Sequence, residues 1–331
     1  MTGIARHQAF DSDELAGALA GWSQDYTQLG RGKLQAELLQ VLLPEASLIF
    51  ERSNLHLHEN MAPPAGQVVF GIPLNVSDDS KFNGHALSRD TLLVLEGGQE
   101  MEICAPGEIG MLGLTVSRQL LSRLLGAHEQ ELLEQALQRR RLDISPAAAQ
   151  DLRNDLCNSI GTFEREERSA GVARHGMSAV MSALGCVVQG LDDAQCERAA
   201  RLSSNPRALE QHRRLVLSAI EIMQANIEGP LSIIELCQAL NTSHRTLQYC
   251  FRQICQATPL QFFLSLRLAE ARRRLKLAPQ QNITTLALDL GFASSSHFSS
   301  LYKRLYAEQP SLTGRPVSSQ TEAAMASMAR A

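Results

Sequence analysis

The stretch "LGFASSSHFSSLYKR", residues 290–304, decides how the C-terminal third of this 331-residue chain is read. Five serines crowd round His297, and Ser296 stands directly before it. A serine beside a histidine suggests nucleophilic chemistry, but adjacent helix positions point about 100° apart. No G-x-S-x-G turn or orienting acid accompanies the pair, so no catalytic residue is assigned and the chain is not expected to be an enzyme. The spacing predicts a helix instead. Ser294 stands at the N-cap, Phe298 and Tyr302 point inward at i, i+4, and Ser295, Ser296, Ser299, Ser300 and Lys303 lie outward. Gly291 sits where the preceding helix needs a left-handed residue to end.

Fifty residues upstream the pattern repeats. "LSIIELCQALNTSHRTLQYCFRQICQATP" (231–259) aligns with "NITTLALDLGFASSSHFSSLYKRLYAEQP" (282–310), with Leu236, Leu240, Phe251 and Pro259 set against Leu286, Leu290, Tyr302 and Pro310. The offset grows from 50 to 51 in the turn, where Gly291-Phe292 replaces Asn241. Each copy reads as helix, tight turn, helix, with Ser232 and Asn282 capping the first helices and Ser243 capping the second helix of the first copy. Thr258-Pro259 opens a connecting helix of roughly 18 residues, about 27 Å long. Such a spacer can hold two reading helices about one DNA turn, ~34 Å, apart. The expected contacts with double-stranded DNA are Ser243, His244, Arg245, Gln248, Tyr249 and Arg252 from the first unit. From the second they are Ser294, Ser295, Ser296, His297, Ser299, Ser300 and Lys303. Arg and Gln have bidentate reach to base edges; serines let a helix approach closely but read less. The run Arg272-Arg273-Arg274-Lys276 is either a solvated face or a phosphate contact.

Residues 206–316 resemble the AraC/XylS transcription regulators. The likeness is carried by "LALDLGFASSSHFSSLYKRLYAEQP" and by the "RLAEARRRL" linker before it. The sequence departs from the family pattern at Gln256 and Ala307, where glycine is usual. The resemblance implies a regulator whose second unit reads sequence less stringently, whose partners include RNA polymerase, and whose remaining 205 residues sense and dimerise. "FGIP" (70–73) and its flanking strands look distantly like ethanolamine-operon-type regulators of this family.

Charge is distributed in keeping with that division. Residues 205–316 carry 13 Lys and Arg against 7 Asp and Glu, and residues 1–204 carry 17 against 27. Only the C-terminal part is then suited to a polyanion, and weak electrostatic docking between the halves becomes available. Hydrophobic content of 44% and charged content of 20% are those of a globular protein. No apolar run of membrane-spanning length and no signal-peptide core are present, so a cytoplasmic, nucleoid-associated bacterial protein is expected. Seven cysteines without a C-x-x-C pair suit reduced, packed thiols. A redox role for Cys237, Cys250 and Cys255 is conceivable, but packing is the better reading.

Residues 33–116 alternate in short segments separated by Asn-Gly, Gly-Gly and Pro-Gly, which predicts strands. The fold class expected is α+β. A small cupin-like β-barrel (1–116) is followed by a helical dimerisation segment (117–204), then an all-α domain with two helix-turn-helix units (205–316) and a disordered tail (317–331). In 174–191 an apolar stripe steps by three and four. It reads either as a helix packed on its own barrel or as a homodimer seam using Val180, Met181, Leu184 and Val187. Residues 192–206 read as a hinge. Phe50, Phe70 and Phe82, with Trp22, are candidates for a small-molecule effector pocket, although each is also an ordinary core residue. His56-x-His58-Glu59 offers two imidazoles on one strand, but a third ligand is not apparent, so no metal and no cofactor are assigned. "GRGK" (30–33) lacks the spacing of a phosphate loop.

Two functions fit. One is a ligand-responsive, sequence-specific regulator, most naturally an activator. The other is an effector-independent DNA-binding regulator whose N-terminal part only dimerises or contacts other proteins.

Overall fold

The computed structural model describes residues 3–166, 172–198, 206–229, 231–292 and 294–314. The first half begins with β1 (Gly3–Ala9), a short helix α1 (Ser12–Ala16), β2 (Ser23–Gln28), β3 (Ala36–Leu42), β4 (Ala46–Ser53), β5 (Leu57–Ala62) and β6 (Gln67–Asn75). It continues through β7 (Lys81–Phe82), β8 (His85–Ala86), β9 (Thr91–Glu96), β10 (Met101–Ala105) and β11 (Ile109–Ser117). Helices α2 (Arg118–Leu124) and α3 (Ala127–Arg139), strand β12 (Arg141–Asp143), and helices α4 (Pro146–Glu166) and α5 (Val172–Arg198) follow.

The strands form two antiparallel sheets, one ordered β1-β3-β4-β11-β6-β9-β12 and the other β2-β5-β10-β7-β8. Each has two edges, so among the described residues the expected barrel takes the form of two packed layers. Alternate residues of the larger sheet face opposite ways. Leu38, Ile49, Val69, Leu93 and Leu95 meet Tyr26, Leu57, Met61, Met101 and Ile103 of the smaller sheet. Leu39, Leu48, Phe70, Val94 and Leu114 turn the other way, toward α2–α5. A sheet buried on both faces favours continuous apolar runs, as in "QVVF" and "TLLVL".

That second core corrects the dimer seam. Val180, Leu184 and Val187 are 1%, 4% and 1% exposed, buried among the chain's own strands and α4. Only Met181 of the four stands out, at 45%. The stripe stacks as a helix on its own sheet, because the sheet's outer face is apolar and needs cover. The change expected at residue 116 is therefore one of element type within a continuous core. Helix α5 runs to Arg198 through the start of the expected hinge; 199–205 and the 317–331 tail lie outside the described residues.

The second half is helical: α6 (Pro206–Ala225), α7 (Ile233–Ala239), α8 (His244–Ile254), α9 (Pro259–Leu277), α10 (Ile283–Asp289), α11 (Ser295–Tyr306) and a closing 3-10 turn, Pro310–Leu312. It holds two small cores. Phe262, Phe263 and Leu266 of α9 pack with α6–α8; Leu268, Ala271 and Leu275 pack with α10 and α11. The caps fall where the sequence puts them. Ser232, Ser243, Thr258, Asn282 and Ser294 each accept backbone N–H groups of the following turn, and Pro259 opens α9.

Gln256 and Ala307, the two departures from glycine, both take the left-handed conformation, with φ of 52° and 54°. Asn241 and Gly291, at equivalent turn positions of the two units, do so as well, with φ of 48° and 72°. The fold keeps the turn and bears the steric cost of a Cβ, about 1–2 kcal/mol at such a residue. Ala307→Gly is expected to stabilise the protein by about 0.5–1 kcal/mol, the Cβ relief being partly offset by glycine's unfolded-state entropy. A rightward shift of the urea midpoint at constant slope is the measurement.

Candidate nucleic-acid interface

Helix α8 buries Leu247, Cys250, Phe251 and Ile254 and turns His244, Arg245, Tyr249 and Arg252 outward. Gln248 is half-buried, with Nε2 3.3 Å from His244 Nε2. Tyr249 is 52% exposed, and its ring meets His212 of α6 edge-on at 5.4 Å. Helix α11 buries Phe298, Tyr302, Leu305 and Tyr306 and presents Ser296, His297, Ser300 and Lys303, with Ser295 and Ser299 half-buried. Ser243 and Ser294 serve as caps: each hydroxyl oxygen accepts a backbone N–H, from Thr246 and His297 respectively. These bonds fix the starts of α8 and α11.

The connecting basic run is ion-paired. Arg272 reaches Glu308 at 2.6 Å and Asp11 at 3.7 Å, Arg273 pairs with Glu270, and Arg274 with Glu270 and Glu228. Lys276 pairs with Asp11 and Glu14 of the sheet half. By contrast, Arg245, Arg252, Lys303 and Arg304 have no acidic partner within 4 Å among the described residues. Cationic side chains without acidic partners thus stand on α8 and α11 themselves.

The helical half docks against the sheet half through polar and apolar contacts together. Gly32 N–H donates to Leu305 O at 2.9 Å, as does the Gln28 amide at 3.1 Å, so the "GRGK" loop serves as a docking loop for α11. Leu29 packs on the core of the first unit. His58 meets Phe262 edge-on at 5.0 Å, and its Nε2 lies 2.5 Å from Glu102 Oε1. Arg213 Nε of α6 stands 3.7 Å from the other Glu102 oxygen and supplies the counter-charge. His58, Glu102 and Cys255 bring one donor atom each within 4.8 Å of one another. Two groups that the sequence did not place beside His58 thus join it, Glu102 from a neighbouring strand and Cys255 from the other half, and His56 is not among the three. Strand parity places Glu102 and Cys104 outward from "MEICA", but which layer they meet is a tertiary fact. His56 Nε2 lies 3.3 Å from Cys104 Sγ; burial, then the neighbouring His58, push His56 down to about 4. Cys237, Cys250 and Cys255 are buried, in keeping with packing.

A cavity of about 60 Å³ lies between the sheets, lined by Trp22, Ile49, Glu51, Glu59, Met61 and Met101 among others. Of the expected aromatics, Trp22 lines this cavity and the three phenylalanines do not. Phe70 faces the helices, with Phe50 packed against the same core, and Phe82 is buried between the sheets away from the cavity lining. One residue of parity separates Phe50 from Glu51 and sends them to opposite faces. Glu51 accepts the Tyr26 hydroxyl at 2.8 Å; burial raises its carboxyl to about 7. Burial, then the charge of Glu51, pushes Glu59 well above the usual carboxylate range.

Comparison with known proteins adds the following. A model described as a helix-turn-helix domain matches residues 236–315. The HTH-type transcriptional regulator ArgR of Pseudomonas aeruginosa is 36% identical over 110 residues, covering 33% of this chain and 33% of that protein. The HTH-type transcriptional regulator CdhR of the same organism is 35% identical over 113 residues, 34% of this chain and 32% of that one. The chain therefore spans about a third of the length of these relatives. A solved AraC-type transcriptional regulator from Chromobacterium violaceum is similar at 32% identity, over 31% of this chain and 90% of that chain, with a TM-score of 0.29.

Proposed function

Because residues 236–315 are a helix-turn-helix domain of the AraC type, we propose that the whole chain is a sequence-specific regulator of transcription that binds double-stranded DNA through α8 and α11. The observation that carries this reading is the pair of capped helices on either side of α9, each with cationic side chains that have no acidic partner among the described residues. Specificity is assigned to Arg245 and Gln248, whose long side chains can bond two base-edge atoms at once. The serines of α11 bring that helix close to the backbone. The site of action is the cytoplasm; no described helix is long and apolar enough to cross a membrane.

The reading extends to a small-molecule effector that governs activation through contact with RNA polymerase. A cavity in the sheet half, apolar but for two carboxyl groups, and a mixed apolar and ionic contact between the halves support it. The pairs Arg213–Glu102 and Arg272–Asp11 are nearly enclosed, so a ligand would act by rebalancing two packed arrangements of the halves, not by pulling these charges apart. A ~2 kcal/mol preference shifts such an equilibrium about thirtyfold. Homodimerisation belongs to the reading too, with Met177 and Met181, both 45% exposed, as large exposed apolar residues among those described on α5. The effector-independent alternative gives the sheet half no use for the cavity.

The test is gel retardation by the full-length protein on genomic fragments. Arg245→Ala and Gln248→Ala are each expected to cost about 1–3 kcal/mol of discrimination, roughly 5- to 150-fold. Ser295→Ala and Ser299→Ala are expected to cost less, and binding should weaken steeply as salt rises. Equal losses on both helices would overturn the assignment of specificity to α8, and retardation without sequence preference would overturn the regulator reading itself.

A further inference from the structure

Glu51 and Glu59 occupy positions where the alternation of their strands calls for apolar residues. Glu51 stands beside Leu38 and Met111 in the larger sheet, and Glu59 beside Tyr26 and Ile103 in the smaller. Both side chains line the cavity, which is otherwise apolar, with Trp22 forming part of its wall. Neither has a basic partner within 4 Å among the described residues. The Tyr26 hydroxyl on Glu51 is the side-chain bond that structure gives the pair. Two carboxylates enclosed together without a counter-charge are costly, and the cost falls only by protonation or by a cation entering between them.

From this geometry we infer that the inter-sheet cavity binds a compact organic cation, an alkylammonium or small quaternary ammonium, between Glu51 and Glu59 with Trp22 at its side. This rests on the ligand-responsive reading above and names its ligand class. An indole face and thioether side chains suit an ammonium with a small apolar body. A carboxylate ligand would be buried beside two acidic groups and would find no counter-charge in the lining. A hard metal ion held by two carboxyl groups would keep most of its waters, and the rest of the cavity lining is apolar and offers them no partners. Glu51 is half-buried and Glu59 is 4% exposed.

The site also has a route to the DNA-binding half. Glu59 is followed along β5 by Asn60 and preceded by His58, which faces the opposite way onto Glu102 and Phe262. A cation held by Glu59 therefore acts on the strand that carries the contact between the halves.

The experiment uses the full-length protein and its single tryptophan, Trp22, which lines the cavity. Fluorescence and thermal melting are followed during titration with n-propylammonium and tetramethylammonium, against n-propanol and propionate as isosteric controls. The cations are expected to saturate both signals and the controls to leave them flat. Glu59→Gln and Glu51→Gln should each weaken the cations at least tenfold while melting no lower than the parent, since each removes a buried acid but keeps its shape. Unchanged cation binding in both amide variants, or equal response to the neutral and anionic controls, would overturn the inference. If propanol or propionate alone responds and also alters reporter transcription, the ligand class is wrong and the ligand-responsive reading stands. If a wider panel of neutral, acidic and basic metabolites moves neither melting nor reporter, that reading falls as well.

Discussion

Val180→Asp or Leu184→Asp is expected to unfold the sheet half, not to release a folded monomer. Both side chains are almost fully enclosed by strands and by α4. Losing the buried aliphatic group costs about 1.5–3 kcal/mol. Forcing a carboxyl into the same space adds several kcal/mol more, because the core it enters is built of apolar side chains. The sum, roughly 5 kcal/mol or more, approaches the whole stability of an ordinary domain. Met181→Asp, one residue along, should change stability by no more than about 0.5 kcal/mol, since Met181 is 45% exposed. Circular dichroism during urea denaturation separates the cases. A Leu184→Asp protein with the parent's midpoint but half its hydrodynamic mass would restore the dimer seam and refute the intramolecular packing.

Arg267→Met should loosen the joint between the two helix-turn-helix units. Arg267 lies at the middle of α9 and is 7% exposed. Its guanidinium donates to the carbonyls of Ile227 (3.2 Å), Gly229 and Gly291 (3.4 Å), and stacks over the Phe263 ring at 4.1 Å. It therefore ties the loop before α7 to the turn before α11 through one side chain. Methionine matches much of the volume but offers no donors, so those carbonyls must find water. Charge-assisted bonds of this kind are worth about 1.5–3 kcal/mol each, and partial hydration of the carbonyls recovers some of it. A net loss of about 2–4 kcal/mol is expected, with sequence-specific retardation falling further than non-specific binding because the spacing of α8 and α11 is no longer held. Urea denaturation and competition gel shifts measure the two effects. Specific binding that survives a destabilisation of that size would show that the units keep their spacing without this joint.

The helix-turn-helix half was legible in the sequence because its rules are short-range. Ser232, Ser243, Asn282 and Ser294 cap helices by bonding N–H groups two or three residues on. Phe298 and Tyr302 share a face because they are four residues apart. Gly291 and Asn241 turn the chain by their own φ. Even Gln256 and Ala307, which break the glycine pattern, kept the turn, since the packed helices on either side determine it. The sheet half was legible only as strands. A sheet buried on both faces shows little alternation of apolar and polar residues, so period two could not say whether Phe70 or Val69 met the helices. The same ambiguity put Phe50 in the expected pocket and overlooked Glu51 beside it. Glu102, Arg213 and Cys255 lie far apart in the chain and meet only because the helical half docks on the smaller sheet. Caps, turns and helical faces are local free energies written in neighbouring residues; which layer covers which face, and which buried charges meet there, is decided by packing between segments that the sequence does not place side by side.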